Sequence, residues 1–184
     1  NFALSKMDGG KEKKFALFAL ADPQVTSETK LNRFKNEAIP EIKKHAASLD
    51  CKCYGITLGD IISNSSGNNT ELYRPKMRDA MHYNKVGIPV YQVMGNHDAN
   101  YYDDINTLQG ETKSERNIKA QRAFEMTNGP INYSFNRGNV HIVGMKDIVY
   151  NDAVSMANYT GGFIDSQYEW LKQDLKVALD AGVT

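Results

Sequence analysis

The sequence predicts an α/β fold, because strand-like and helix-like stretches alternate along the chain. Apolar runs typical of buried strands occur at 15–21, 53–58 and 89–94. The stretches between them, 28–49 and 70–84, have the periodicity of helices. This order is typical of βαβ units, in which successive strands lie parallel in one sheet.

The composition suits one domain over residues 1–184, since a chain of this length with 41% hydrophobic residues can form a substantial core. Lys plus Arg and Asp plus Glu are balanced at 22 each, so no net basic field favours nucleic acid or an anionic membrane surface as a partner. The sequence contains no apolar run long enough for a membrane segment. Compartment and oligomeric state are left open. Cys51 and Cys53 are expected to be free, half-buried or buried thiols.

The first helical stretch carries an apolar stripe that we expect to face the core. Pro40 lies inside this stretch and predicts a break or a helix start. The stripe recurs at steps of three or four residues and consists of Leu31, Phe34, Ala38, Ile42, Ala46 and Leu49.

The second half of the chain predicts a long polar loop at 99–110, a helix at 113–126 and two strands of a second sheet layer at 131–135 and 140–145. A turn at 136–139 joins these strands.

A last helix is expected to begin at Asp165 or Ser166, either of which can cap it. Trp170 lies beside an apolar stripe on this helix and is expected to pack in the core or in a lid. The stripe consists of Leu171, Leu175 and Leu179.

Each of the first three strands is followed by a residue with a side-chain oxygen. Asp22 follows the first strand, Asp60 the second, and the run Gly-Asn-His-Asp at 95–98 the third. Asp22 and Asp60 are 38 residues apart, and Asp60 and Asn96 are 36 apart, which is near one βαβ unit. Because the carboxyl ends of parallel strands meet at one edge of the sheet, we expect these side chains to converge. Each is also a common turn residue, but the joint pattern favours a metal site.

These blocks resemble the motifs of the calcineurin-like metallophosphoesterases, in which Asp-x-His, Gly-Asp and Gly-Asn-His-Asp/Glu follow in this order. Here they read Asp-Pro-Gln at 22–24, Gly-Asp at 59–60 and Gly-Asn-His-Asp at 95–98. Gln24 replaces the usual histidine, a substitution associated with one branch of the family, and its carbonyl oxygen can still bind a metal. The resemblance implies a four-layer αββα sandwich and metal-dependent hydrolysis of a phosphorylated substrate.

The resemblance also implies a ligand set for two divalent metal ions, Mn, Fe or Zn, with a hydroxide bridging them. Asp60 would be the carboxylate bridge between the two ions. Asp22 and Gln24 would be the other ligands of one ion that this sequence contains, and Asn96 would bind the second ion.

The same resemblance assigns the proton transfer to His97, which would act as the general acid toward the leaving oxygen. Asp98 would orient the imidazole of His97 and fix its tautomer.

The family's later histidine motifs, a single histidine and Gly-His-x-His, have no counterpart here. After His97 the chain contains one histidine, His141, which lies in an alternating strand pattern and is expected to be a paired or half-exposed strand residue. We therefore expect a catalytic domain truncated at its C-terminus, with further ligands beyond Thr184. The alternative is a non-catalytic protein-interaction module that retains the fold. Monoesters, diesters and phosphoproteins share such a metal core and differ through loops such as 63–70 and 99–112, so the substrate is left open.

Overall fold

The computed structural model describes residues 12–63, 72–99, 112–150 and 159–183, and these form a mixed α/β structure. The predicted loops at 63–70 and 99–112 lie almost wholly outside the described residues. The strands are β1 (Phe15–Leu20), β2 (Lys52–Thr57), β3 (Val90–Tyr91), β4 (Asn132–Arg137), β5 (Val140–Met145), β6 (Ile148–Tyr150) and β7 (Tyr159–Gly161). The helices are α1 (Glu28–Arg33), α2 (Ile39–Ser48), α3 (Tyr73–Ala80), α4 (Tyr83–Val86), α5 (Asn96–Ala99), α6 (Lys113–Asn128) and α7 (Asp165–Asp180).

The first three strands form a parallel sheet in the order β1-β2-β3, as the spacing of the strand ends predicted. β1 and β2 pair over their full length, whereas β3 contributes only two residues and is shorter than the predicted 89–94. Beyond β3, a side chain of β2 takes the place of backbone pairing between the two segments. Oγ1 of Thr57 accepts a hydrogen bond from the Val93 N–H at 3.0 Å. The carboxyl ends of all three strands therefore lie at one edge of the sheet.

The first helical stretch runs from α1 to α2 through a π-helical turn at Phe34–Ala38. This turn lies directly before Pro40, where a regular helix would bring the proline ring against the preceding carbonyls. The extra residue of the π turn shifts the phase of the stripe, so Ile39 is buried and Ala38 only half-buried. Leu49 was predicted to be in the core but is 42% exposed, because the helix ends at Ser48.

The predicted helix at 70–84 is divided in the structure into α3 and the short α4. The break falls at His82, whose backbone is extended and whose Nδ1 accepts a hydrogen bond from the Asn84 N–H at 3.3 Å. His82 therefore caps α4, a structural role that the sequence pattern had not indicated.

A cluster of buried apolar residues lies under the loops that follow β1, β2 and β3, with helices α1, α2, α3 and α6 contributing to it. Its members include Val25, Leu31, Ile42, Ile61, Ile62, Met77, Met94 and Phe124. Because the strand-end loops themselves contribute Val25, Ile61, Ile62 and Met94, core packing holds these loops in place. Of the helices in the described ranges, none is long and apolar enough to span a membrane.

The helix predicted at 113–126 and both later strands are confirmed as α6, β4 and β5. A reciprocal capping box between Thr112 and Glu115 begins α6. β4 and β5 form an antiparallel hairpin that contacts the parallel sheet through stacked rings of Tyr91 and Phe135, whose centroids are 3.9 Å apart. The β6–β7 hairpin was not predicted, because three-residue strands are too short to show an alternating pattern.

Helix α7 begins at Asp165, but its N-cap is Ile164 and neither Asp165 nor Ser166, so the predicted cap was wrong. Its apolar stripe is not buried among the described residues. Leu175 and Leu179 are 42% and 66% exposed, and Trp170 and Leu171 are half-buried. The helix is instead anchored by a polar side chain, since Nε2 of Gln167 donates hydrogen bonds to Asn132 Oδ1 and Lys146 O.

His141 is a paired strand residue, as predicted. Its Nε2 lies 2.8 Å from Oδ2 of Asp174 on α7, and its Nδ1 lies 2.6 Å from Oδ1 of Asn136. Ser134 donates its hydroxyl to the other oxygen of Asp174 at 2.7 Å. Both ring nitrogens of His141 are occupied within this network, which ties α7 to the β4–β5 hairpin. Cys51 and Cys53 are free and half-buried, as expected.

Asp174→Asn should destabilise the protein at neutral pH. Burial raises the pKa of the Asp174 carboxyl, but the hydrogen bonds from Ser134 and His141 outweigh it and hold the pKa below its usual value. Because the folded-state pKa is the lower one, this stabilisation is present above about pH 4 and is lost as the pH falls through the folded-state pKa. We expect a loss of about 1–2 kcal/mol in the free energy of unfolding at pH 7.

Urea unfolding at pH 7 and at pH 3 measures this difference. Asp180→Asn is the matched control, because the ion pair that Asp180 forms with Lys176 is exposed and contributes little. Equal losses for the two variants at pH 7 would contradict the anchoring role of Asp174.

Candidate metal centre

The loops after β1 and β2 are joined by backbone hydrogen bonds that continue the strand pairing beyond the sheet. The Gln24 N–H donates to Asp60 O at 2.8 Å, and the Val25 N–H donates to Ile61 O at 3.1 Å. This pairing brings Asp22 beside Asp60. Burial raises the pKa of the Asp60 carboxyl and the adjacent Asp22 carboxyl raises it further, against the opposing effect of His97.

The loop after β3 packs against Asp60 through two glycines that leave no room for a side chain. A Cβ atom on Gly95 would lie 2.2 Å from Oδ1 of Asp60, and one on Gly59 would lie 2.6 Å from the Cα of Gly95. The close approach allows the His97 N–H to donate to Oδ1 of Asp60 at 2.9 Å. All three predicted strand ends therefore converge on Asp60.

Three residues other than glycine have positive φ in the described ranges, and all three belong to the predicted ligand set. They are Asp22 at 49°, Gln24 at 41° and Asp60 at 53°. A left-handed backbone is unfavourable for residues with a Cβ, least so for Asp and Asn. Such strain persists only where surrounding contacts enforce it, and it is common at functional sites.

Asp98 is fully buried and ties the second and third loops together. Its carboxylate accepts hydrogen bonds from the N–H groups of Ile61 at 3.1 Å, Ile62 at 3.2 Å and Gly95 at 3.0 Å. Burial raises the pKa of the Asp98 carboxyl to about 6, although Arg74 and these amides act in the opposite direction. The predicted orientation of the His97 imidazole by Asp98 stays a prediction.

Arg74 is the partner of Asp98 that the sequence interpretation missed. Its guanidinium is fully buried, donates from Nη2 to Asp98 O at 3.0 Å and lies 3.6 Å from Oδ1 through Nη1. The Phe124 ring covers another side of the guanidinium, and the ring centroid lies 5.5 Å from the guanidinium carbon. A signal was present in the sequence, because Arg74 shares its helix face with Met77 and Ala80.

The predicted ligands supply oxygen donors of the kind that hard divalent cations prefer. Asp22, Asp60 and Asn96 line one open cavity of about 690 Å³, and Nε2 of Gln24 lies 3.5 Å from Oδ2 of Asp60. Rotation of the Gln24 amide exchanges its nitrogen for its oxygen. Within the described ranges no three His, Cys, Asp or Glu side chains come together to hold a metal ion. The donor set thus fits a hard cation but is smaller than two such ions require.

The remaining walls of the cavity come from the second half of the chain. Asp147 lies between β5 and β6 and is the third carboxylate in the described lining. The other lining residues from this half are Val143, Met145, Ile148, Gly161, Phe163 and Leu171. Neither Asp147 nor these apolar residues were identified from the sequence, because no motif marks them.

A sequence model of the calcineurin-like phosphoesterase family matches residues 25–182, which is most of the chain. This protein therefore belongs to the calcineurin-like phosphoesterases. The match includes Asp60 and the run at 95–98, whereas Asp22 and Gln24 lie just before it. Comparison with curated proteins found no match. Family membership supports a phosphoesterase-type enzyme that uses divalent metal ions.

Arg74→Met should strongly destabilise the protein, because it leaves the Asp98 carboxylate buried without its cationic partner. We expect a loss of about 3–5 kcal/mol in the free energy of unfolding, measured by urea denaturation. Arg78→Met is the matched control, since Arg78 is an exposed arginine on the same helix. The double variant Arg74→Met/Asp98→Asn should lose less than the sum of the single variants. Similar losses for Arg74→Met and Arg78→Met would refute the buried pair.

Gln24→Gly should be more stable than Gln24→Ala. Both substitutions remove the amide, but only glycine relieves the left-handed strain at φ 41°. We expect a difference of about 0.5–1 kcal/mol, after subtracting the greater chain entropy of glycine in the unfolded state. Thermal unfolding measures it, and an alanine variant as stable as the glycine variant would show that the backbone at position 24 is not strained.

Proposed function

We propose that this protein hydrolyses phosphoesters with two divalent metal ions at the carboxyl ends of β1, β2 and β3, where the described residues would supply part of the ligands. The observation that carries the proposal is the convergence of Asp22, Asp60 and Asn96 on one cavity. The left-handed backbone of Asp22, Gln24 and Asp60 supports it, since contacts elsewhere must offset that strain. We also propose that the parallel sheet and the β4–β5 hairpin belong to the inner layers of a four-layer αββα sandwich.

The position of each side chain supports the proposed ligand roles. Asp60 lies between the other two loops and is suited to bridge two ions, with Asp22 and Gln24 on one side. Asn96 is suited to the second ion from the other side. Bound divalent ions would supply positive charge to the phosphate oxygens and acidify a water for attack. Oxygen donors favour manganese, while iron and zinc stay open as alternatives.

His97 is proposed as the general acid. It lies in α5 between Asn96 and Asp98, and its backbone is fixed by the hydrogen bond to Asp60. Its imidazole would give a proton to the leaving oxygen as the bond between phosphorus and that oxygen breaks. Asp98 is proposed to orient His97, with the buried bonds to Ile61, Ile62 and Gly95 holding the loop that carries the imidazole.

His97→Ala should slow the hydrolysis of esters with poor leaving groups more than that of esters with good ones. A p-nitrophenolate leaves without protonation, whereas an alkoxide needs the proton, so the loss in kcat for an alkyl ester should reach about 10²- to 10⁴-fold.

Asp60→Asn should abolish manganese-dependent activity with both substrates. Asp50→Asn is the matched control, because it removes an exposed carboxylate at the opposite end of β2 from Asp60.

Steady-state rates with p-nitrophenyl and alkyl phosphoesters measure both effects. Equal slowing of the two ester types by His97→Ala would exclude the general-acid role. Full activity in Asp60→Asn would exclude the bridging role.

A second candidate is a non-catalytic module that keeps this fold for protein interaction. It is favoured by the observation that, among the described residues, no three His, Cys, Asp or Glu side chains lie close enough together to hold a metal ion. Manganese titration by calorimetry distinguishes the two candidates. A protein that binds no Mn²⁺ and turns over no phosphoester would support the second candidate.

A further inference from the structure

We propose that the cavity beside the candidate metal centre selects phosphodiesters with an apolar ester group over phosphomonoesters. The inference rests on the proposed hydrolytic function and specifies its substrate class. A phosphodiester carries one negative charge at neutral pH, whereas a phosphomonoester carries close to two. The charge and polarity of the cavity walls decide between these two ligands.

The cavity lining is acidic. Asp22, Asp60 and Asp147 contribute carboxylates, and no Lys, Arg or His side chain is among the described residues that line the cavity. Three internal segments lie outside the described residues, at 64–71, 100–111 and 151–158. The sequences of these three segments contain no Lys, Arg or His, whereas residues 1–11, which also lie outside the described ranges, contain Lys6 and Lys11.

Three described cations that contact these loops or adjoin a lining residue in the chain are bound to other partners. Nζ of Lys30 donates to the backbone oxygen of Gln24 at 3.3 Å, and Nζ of Lys146 donates to Oε1 of Gln121 at 3.2 Å. Arg74 is fully buried against Asp98. None of the three lines the cavity.

Sites that bind a phosphate dianion commonly use arginine or lysine to balance the second charge. Among the described lining residues no such cation is present, so the charge of bound metal ions, part of it offset by Asp22 and Asp60, would balance the phosphate there. Asp147 adds repulsion that acts on a dianion about twice as strongly as on a monoanion. The electrostatics therefore favour the singly charged diester.

The ester group of the substrate would meet an apolar wall. Met145, Ile148, Phe163 and Leu171 line the cavity together with Asp147. The ring of Phe163 is held edge-on against Tyr168, with the centroids 5.7 Å apart. A cavity of about 690 Å³ has the size of ordinary small-molecule sites, so an alkyl or aryl ester group fits beside the phosphate.

The proposed reaction consumes one water per diester. The water oxygen forms a bond to phosphorus and its proton passes to solvent, while the bond from phosphorus to the leaving oxygen breaks. The leaving oxygen keeps the electron pair and takes a proton from His97, which solvent later restores. The products are a phosphomonoester and an alcohol. Because the monoester gains a second negative charge, Asp147 also favours its release.

The test compares kcat/KM for bis(p-nitrophenyl) phosphate and p-nitrophenyl phosphate with Mn²⁺, since both esters release the same leaving group. We expect the diester to be preferred. Asp147→Asn should lower the diester-to-monoester ratio about three- to tenfold, the size expected for one exposed and partly screened charge in the cavity wall. Asp180→Asn removes the same charge from the far end of α7 and should leave the ratio unchanged.

Binding of diphenyl phosphate and phenyl phosphate to the Mn²⁺-loaded protein, measured by calorimetry, is the second readout. Preference for the monoester, or a ratio that Asp147→Asn does not change, would overturn the inference. Absence of turnover with tighter binding of the diphenyl ester would refute the hydrolytic function and support the ligand class. Absence of both turnover and binding would overturn both.

Discussion

The candidate site depends on the burial of one carboxylate. Asp98 accepts three backbone hydrogen bonds from the loops after β2 and β3 and is paired with the buried Arg74. Buried charges are costly unless they are paired and hydrogen-bonded, so this group tolerates few other arrangements of the surrounding backbone. The constraint fixes Asp60 and Asn96 relative to each other before any ligand binds. Helix α3 takes part in the site through Arg74 although no residue of α3 lines the cavity.

The second constraint is the lack of space between the strand-end loops. Gly59 and Gly95 allow two backbones to approach closely enough for Asp60 to accept a hydrogen bond from His97. At the same edge of the sheet, Asp22, Gln24 and Asp60 have left-handed backbone conformations. The core residues Val25, Ile61, Ile62 and Met94 flank these positions, so hydrophobic burial of neighbouring residues offsets the strain. The packing of these apolar residues therefore holds the loops in conformations that are themselves unfavourable.

Much of the fold could be predicted because its signals are local. The strand order β1-β2-β3 and the helix α6 followed from apolar runs and helical periodicity. The errors fall where distant contacts override local pattern. The π turn before Pro40 changed which residues of the first stripe are buried, and polar anchoring through Gln167 and Asp174 left Leu175 and Leu179 exposed. The β6–β7 hairpin has strands of three residues, too short for any periodicity to be recognised.

The sequence by itself contains the family motifs and their spacing, and these determined that Asp22, Asp60 and Asn96 lie at one edge of a sheet. Residue type and separation along parallel strands suffice for this. The tertiary structure alone decided the pairing of Arg74 with Asp98, the use of both His141 nitrogens by Asn136 and Asp174, and the place of Asp147 in the cavity wall. These contacts join residues far apart in the chain. Charge, burial and hydrogen-bond geometry arise only when such residues meet, and no local pattern encodes them.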